Sequence, residues 1–132
     1  MILDDKSLSL HNAYFDLIFI SGVYHHIPAD ERENVTEKIY AFLKDKGSII
    51  CFEHNPYNPL TRQMVNTCIF DDDAVLLTKE ELEKTFLKEK LSVVDSGYTL
   101  FVPPKLKALN FIEKYLKWLP LGGQYYVAFK KK

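Results

Sequence analysis

The fold of this chain is decided by two short apolar runs, FDLIFI at residues 15–20 and SIICF at residues 48–52. Each run is nearly continuous in apolar residues, which is typical of a strand that is covered on both faces of a parallel sheet. Between them, Asp30 and Glu33 have capping-box spacing, and apolar residues recur at helical intervals until Gly47. Strand, helix and strand in this order predict a parallel βαβ unit.

The rest of the chain continues the alternation of helices and strands. A short helix is predicted over residues 61–68, and Thr78 and Glu81 form a second capping box before another helix. Strands are predicted over residues 91–102, with Gly97 as a bulge, and over residues 124–129. Between these strands, Pro104 is predicted to open an amphipathic helix whose inward face is Leu109, Ile112, Leu116 and Leu119. The predicted core residues in this part of the chain are Phe111, Trp118, Tyr125, Tyr126 and Phe129, together with Cys51 in the earlier strand.

Composition narrows the class of protein. The chain has 132 residues, a net charge of −1 and only two arginines among its 17 basic residues, so we expect one domain and no nucleic-acid partner. The two cysteines make neither a disulfide framework nor a four-ligand zinc site. No apolar stretch is long enough to span a membrane, and the acidic start does not resemble a signal peptide, so we predict no membrane association and a cytoplasmic location.

The predicted functional region is the carboxyl end of the two parallel strands, where open α/β sheets bind ligands. There the sequence places SGVYHHIP at residues 21–28 and EHNPYN at residues 53–58, which together contain three of the four histidines. An imidazole has a pKa near neutrality and therefore suits a general base. The alternative is that these histidines only bond backbone and shape the loops.

These residues resemble the class I, Rossmann-like S-adenosylmethionine-dependent methyltransferases. The resemblance rests on FDLIF, on SGVYHHIP and on the turn LKDKGS at residues 43–48. It implies an α/β sheet of the family's strands four, five, seven and six, with the seventh antiparallel and helices on its sides. The family's glycine-rich cofactor loop is absent, so residues 1–132 are interpreted as one partial domain, the C-terminal half.

The resemblance also implies roles for individual residues. Ser21, Gly22, Val23 and His25 would border the cofactor, and Asp4 or Asp5 would lie near its adenine; for Gly22, a simple tight turn is the alternative. We expect His25 and His26 to diverge, one toward the cofactor and the other toward the following helix. The predicted catalytic residues are His26, His54 and Glu53, with His26 and His54 as candidate bases and Arg62 or a histidine as the partner of Glu53. The predicted substrate-binding residues are Tyr57 and Arg62, although residues 55–59 also suit a merely rigid loop.

A metal site is the less favoured interpretation of the same residues. His25, His26, Glu53 and His54 are suitable ligand types but lack a recognisable spacing. Asp71, Asp72 and Asp73 lack the alternating ligands of a calcium loop, so they are interpreted as a solvated turn. The sequence therefore predicts no metal.

The predicted function is methyl transfer from S-adenosylmethionine to an unidentified small-molecule acceptor. The chain alone is expected to be inactive and to bind the cofactor weakly or not at all. The alternative is a non-catalytic dimerisation or partner-binding module. In either case we expect the edge of the strand at residues 15–20 to pair with a second copy or with a missing N-terminal half.

Overall fold

A four-stranded sheet organises the chain. The computed structural model describes residues 12–102 and 104–132. Its strands are β1 (Phe15–Ser21), β2 (Leu43–His54), β3 (Leu91–Thr99) and β4 (Gln124–Lys131). Its α-helices are α1 (Arg32–Phe42), α2 (Pro59–Thr67), α3 (Lys79–Leu87) and the single turn α4 (Glu113–Leu116). Short 3-10 segments cover Tyr24–His26, Ile69–Asp71 and Pro104–Ile112.

The order of the strands confirms the predicted α/β sheet. The strands lie in the order β1-β2-β4-β3, with β1 parallel to β2 and β4 antiparallel to both of its neighbours. This is the contiguous arrangement expected from the sequence, with the last strand inserted antiparallel. Because β1 and β2 are parallel, their carboxyl ends reach the same edge of the sheet.

Helices α1 and α3 cover one face of the sheet and enclose the core. Three residues of β2, Ile49, Cys51 and Glu53, alternate along that face and are fully buried. On α3, the ring of Phe86 stacks on Phe129 with 4.5 Å between centroids. Cys51 is therefore a core residue, as predicted. Tyr125 and Phe129 are also buried as predicted, whereas Tyr126 points to the opposite face and is only half-buried.

The beginning of α1 differs from the prediction. Its N-cap is Glu31, whose side chain makes no capping bond, so the predicted capping box of Asp30 and Glu33 is wrong. The buried Arg32 anchors this end instead, because its guanidinium donates to the carbonyls of Ile27 at 3.0 Å and Val75 at 2.7 Å. Long-range contacts of this kind leave no local signature in the sequence.

Helix α3 begins where the sequence predicted. The Thr78 hydroxyl accepts from the Glu81 amide, and the Glu81 carboxylate accepts from the Thr78 amide. Strand β3 is irregular between Val93 and Asp95, so the predicted bulge at Gly97 is wrong. Gly97 pairs regularly with Tyr126 of β4. Its missing side chain leaves room for Lys117, whose Cβ would lie 3.1 Å from a Cβ added to Gly97.

The segment before β4 is not the predicted amphipathic helix. Residues Pro104–Ile112 form 3-10 turns with a non-helical Leu106, and only Glu113–Leu116 is α-helical. Polar contacts hold this segment, because the Glu113 carboxylate accepts from the amides of Phe101 and Val102 at 3.1 Å. Phe111 and Trp118 are 64% and 74% exposed, so their prediction as core residues is wrong.

Within the described parts of the chain, no helix combines the length and the apolar character needed to cross a bilayer.

Replacing Phe86 by alanine should lower the free energy of unfolding by about 3 to 5 kcal/mol, because it removes a fully buried ring. Urea unfolding followed by circular dichroism measures the loss. Phe111→Ala is the matched control, and its exposed ring should change stability by less than about 0.5 kcal/mol. Equal losses for the two variants would contradict this description of the core.

Candidate functional site

A buried carboxylate joins the carboxyl ends of β1 and β2. Glu53 lies near the end of β2 and has no exposed surface. One carboxylate oxygen accepts from the amides of Val23 at 2.9 Å and Tyr24 at 2.7 Å. The other oxygen lies 2.6 Å from Nδ1 of His25. One side chain of β2 thus holds three groups of the loop that follows β1.

The predicted cofactor loop leaves β1 through a left-handed glycine. Gly22 has a φ of +64°, in the left-handed region that favours glycine, and its amide donates to the carbonyl of Phe52 at 3.0 Å. Ser21 and Val23 on either side are exposed. Asp4 and Asp5 lie outside the described residues, so their predicted role near the adenine stays a prediction.

His25 is the most enclosed histidine of the site. Its side chain is 2% exposed, and the hydrogen bond to Glu53 raises its pKa above the usual value, against the opposing effect of burial. Its other ring nitrogen, Nε2, has no hydrogen-bond partner among residues 12–102 and 104–132. That nitrogen lies 3.6 Å from a carboxylate oxygen of Asp71.

His26 turns toward the same carboxylate. Its Nε2 lies 3.4 Å from the same oxygen of Asp71, and its Nδ1 lies 3.0 Å from a carboxylate oxygen of Asp73. The two imidazole rings are 4.1 Å apart between centroids. The expectation that His25 and His26 diverge is therefore wrong, because the 3-10 turn at Tyr24–His26 places both rings on one side.

The acidic tract at residues 71–73 belongs to this cluster. The Val75 amide donates to the His25 carbonyl at 2.7 Å and so holds the tract against the histidine loop. The Asp71 side chain is only 15% exposed, so the interpretation of the whole tract as a solvated turn is wrong for Asp71. Asp72 is exposed and does fit that interpretation.

His54 lies beside His25 at the end of β2. The centroids of the two rings are 5.0 Å apart, and Nδ1 of His54 is buried without a hydrogen-bond partner in the described structure. Burial, and next the charge of His25, lower the pKa of His54. The imidazole of His54 is therefore neutral near pH 7.

The loop after β2 is fixed by a buried amide. Asn55 donates to the carbonyls of Pro120 at 3.1 Å and Gly122 at 2.7 Å, and its side-chain oxygen accepts from the Tyr57 amide. Asn58 caps α2 by accepting from the amide of Thr61. These bonds favour the interpretation of residues 55–59 as a rigid loop.

The two predicted substrate residues do not meet. Tyr57 borders a surface cleft of about 490 Å³ together with Tyr98 and Trp118. Arg62 borders a separate cleft of about 310 Å³ on α2. The partner of Glu53 is His25, so of the two partners considered, Arg62 and a histidine, the structure selects the histidine.

Residues 2–51 of the chain match the sequence model of a protein family that is described as a methyltransferase domain. No curated protein matches it. A similar solved structure is an S-adenosylmethionine-dependent methyltransferase from Archaeoglobus fulgidus, at 15% identity and a TM-score of 0.64, covering 98% of this chain and 66% of that one. Another is an S-adenosylmethionine-dependent methyltransferase, possibly a histamine N-methyltransferase, from Thermotoga maritima, at 18% identity and a TM-score of 0.70, covering 92% and 58%.

The chain therefore shares its fold with methyltransferases. It has the fold of the class I methyltransferases, whose cofactor is S-adenosylmethionine, and it spans less than two thirds of the length of these solved structures. A third such structure is a geranyl diphosphate C-methyltransferase from Streptomyces coelicolor, in complex with Mg²⁺, geranyl diphosphate and S-adenosylhomocysteine. It has 10% identity and a TM-score of 0.57, and the match covers 92% of this chain and 49% of that one.

Replacing Glu53 by glutamine should lower the free energy of unfolding of this domain by about 2 to 3 kcal/mol, because it removes the charge from three buried hydrogen bonds. Chemical denaturation measures the loss. Glu37→Gln, on an exposed position of α1, is the matched control and should be nearly neutral. An unchanged stability of the Glu53 variant would show that the carboxylate does not hold the loop.

Proposed function

We propose that this domain supplies the acceptor side of an S-adenosylmethionine-dependent methyl-transfer site. The observation that carries the proposal is the buried Glu53, which fixes the loop after β1 to the end of β2 at the carboxyl edge of a methyltransferase fold. Open α/β sheets bind their ligands at this edge. The whole protein's acceptor is a small molecule that the sequence does not identify.

The loop at Ser21, Gly22 and Val23 is the proposed border of the cofactor. Gly22 has no side chain to obstruct a ligand, and both neighbours are exposed at the strand end. S-adenosylmethionine supplies a methyl group on a sulfonium, which an acceptor lone pair displaces in line. Positioning of the two reactants can supply much of the acceleration of such a step.

His26 and His54 are the proposed bases for an acceptor that carries a proton. His54 has an unpartnered, neutral imidazole, whereas both ring nitrogens of His26 lie near aspartates. A well-placed base contributes about 10²- to 10⁴-fold to the rate. Glu53 is proposed as a positioning residue, because both of its oxygens are engaged by the loop.

In the full-length protein, His54→Ala should lower the rate of S-adenosylhomocysteine formation by about 10²-fold or more with a hydroxyl or amine acceptor. The affinity for S-adenosylhomocysteine, measured by calorimetry, should change little. The assay uses a panel of phenols, amines and carboxylic acids, with His26→Ala tested in parallel. Unchanged turnover in both variants would remove the proposed bases, and failure of the full-length protein to bind S-adenosylhomocysteine would overturn the proposed function itself.

A second candidate function is self-association without catalysis. Within the described residues β1 is an edge strand of the sheet, and Leu17 and Phe19 on its outer face are 55% and 62% exposed. The centroids of the Phe19 and Phe52 rings are 5.7 Å apart, so the two side chains form an apolar surface across β1 and β2. We propose that a second copy of the chain pairs here, since exposed apolar edges favour strand pairing.

Light scattering at increasing concentration should show a dimer of the 132-residue chain, and Phe19→Lys should shift it to monomer. Phe111→Lys, at an equally exposed ring on another segment, is the control and should leave the dimer intact. A wild-type chain that stays monomeric at high concentration would remove this candidate.

A further inference from the structure

We propose that His25, His26 and Asp71 form a binding site for a divalent transition-metal ion, with Zn²⁺ as the best-suited ion. The site goes beyond methyl transfer and does not depend on it. One ligand atom of each side chain, a ring nitrogen of each histidine and a carboxylate oxygen of Asp71, lies within 4.8 Å of the other two.

The spacing of these atoms suits ligands better than hydrogen bonds. The Asp71 oxygen lies 3.6 Å from Nε2 of His25 and 3.4 Å from Nε2 of His26, longer than a good hydrogen bond. Zinc bonds of about 2.0 to 2.1 Å in a tetrahedral arrangement place two ligand atoms about 3.3 Å apart. The two distances from Asp71 to the imidazole nitrogens are close to this spacing.

The unpartnered nitrogen of His25 is the second, independent observation. This side chain is 2% exposed, and its Nε2 has no hydrogen-bond partner in the described structure while it faces Asp71 and His26. Leaving a buried polar atom without a partner costs free energy. A metal ion would accept the lone pair of this nitrogen and remove that cost.

Two further carboxylates orient the histidines for this role. Glu53 lies 2.6 Å from Nδ1 of His25, and Asp73 lies 3.0 Å from Nδ1 of His26. Metal binding displaces any proton from Nε2, and a proton held at Nδ1 by a carboxylate leaves the Nε2 lone pair to the ion. Histidines that bind metals in proteins are commonly oriented by such a carboxylate behind the ring.

The ligand types select the ion. Two imidazoles and one carboxylate suit Zn²⁺ and similar transition metals, whereas Mg²⁺ and Ca²⁺ prefer oxygen ligands alone. Three protein ligands leave a fourth position for water or another ligand. His54 lies beside His25, at 5.0 Å between ring centroids.

Calorimetric titration of the EDTA-treated, untagged chain with Zn²⁺ tests the proposal. We expect saturable binding of one ion per chain, a higher melting temperature with Zn²⁺, and visible absorption typical of tetrahedral coordination when Co²⁺ replaces it. His26→Ala and Asp71→Asn should each weaken binding by at least about tenfold. Asp73→Asn should weaken it about 10- to 100-fold, as expected for a residue that orients a ligand.

Asp72→Asn is the matched control, because this aspartate adjoins the cluster in sequence but is exposed. It should bind Zn²⁺ as the wild type does. Failure of the wild type to bind one ion per chain, or equal affinities in all of these variants, would overturn the proposal. Asp71 is half-buried and Asp72 is exposed, so neither substitution changes the core. A difference in affinity between the two variants therefore reports on zinc binding and not on unfolding.

Discussion

The buried carboxylate of Glu53 is the interaction on which the functional edge of this domain depends. A carboxylate without exposed surface is costly unless its oxygens are paired, and here two backbone amides and an imidazole pair them. The same bonds determine the path of the loop after β1. They also determine the orientation of His25, whose ring lies against those of His26 and His54. The chemistry of the site therefore follows from one residue of β2.

That arrangement agrees with the methyltransferase fold. The sheet order fits this fold, residues 2–51 match a methyltransferase domain in sequence, and the loops of interest lie at the edge where open α/β sheets bind ligands. Fold alone does not define an acceptor. The distinctive feature of this chain is the histidine and aspartate cluster beside the proposed cofactor loop. Its chemistry provides both a candidate base, in His54, and a candidate metal site, in His25, His26 and Asp71.

Local patterns predicted the elements that depend on local chemistry. The strand at residues 15–20, the helix cap at Thr78 and the last strand have periodicity or capping residues that are visible in the sequence. The segment after Pro104 shows the limit of this approach. Its apolar spacing suggested a helix, but bonds from Glu113 to the end of β3 hold it in 3-10 turns with Phe111 exposed. Tertiary contacts of this kind override a helical pattern over a short segment.

The sequence by itself determined the βαβ unit and the two loops that contain the histidines, because hydrophobic periodicity and chain order act locally, whereas the contiguous order of the sheet was expected from the resemblance to the methyltransferases. Only the tertiary structure decided which groups meet. Asp73 is 47 positions away from His26, and Glu53 is 28 away from His25, so no spacing rule connects them. These pairs form because the sheet register and the segment before α3 bring distant carboxylates to one strand end, where burial makes the pairing of Glu53 with His25 necessary.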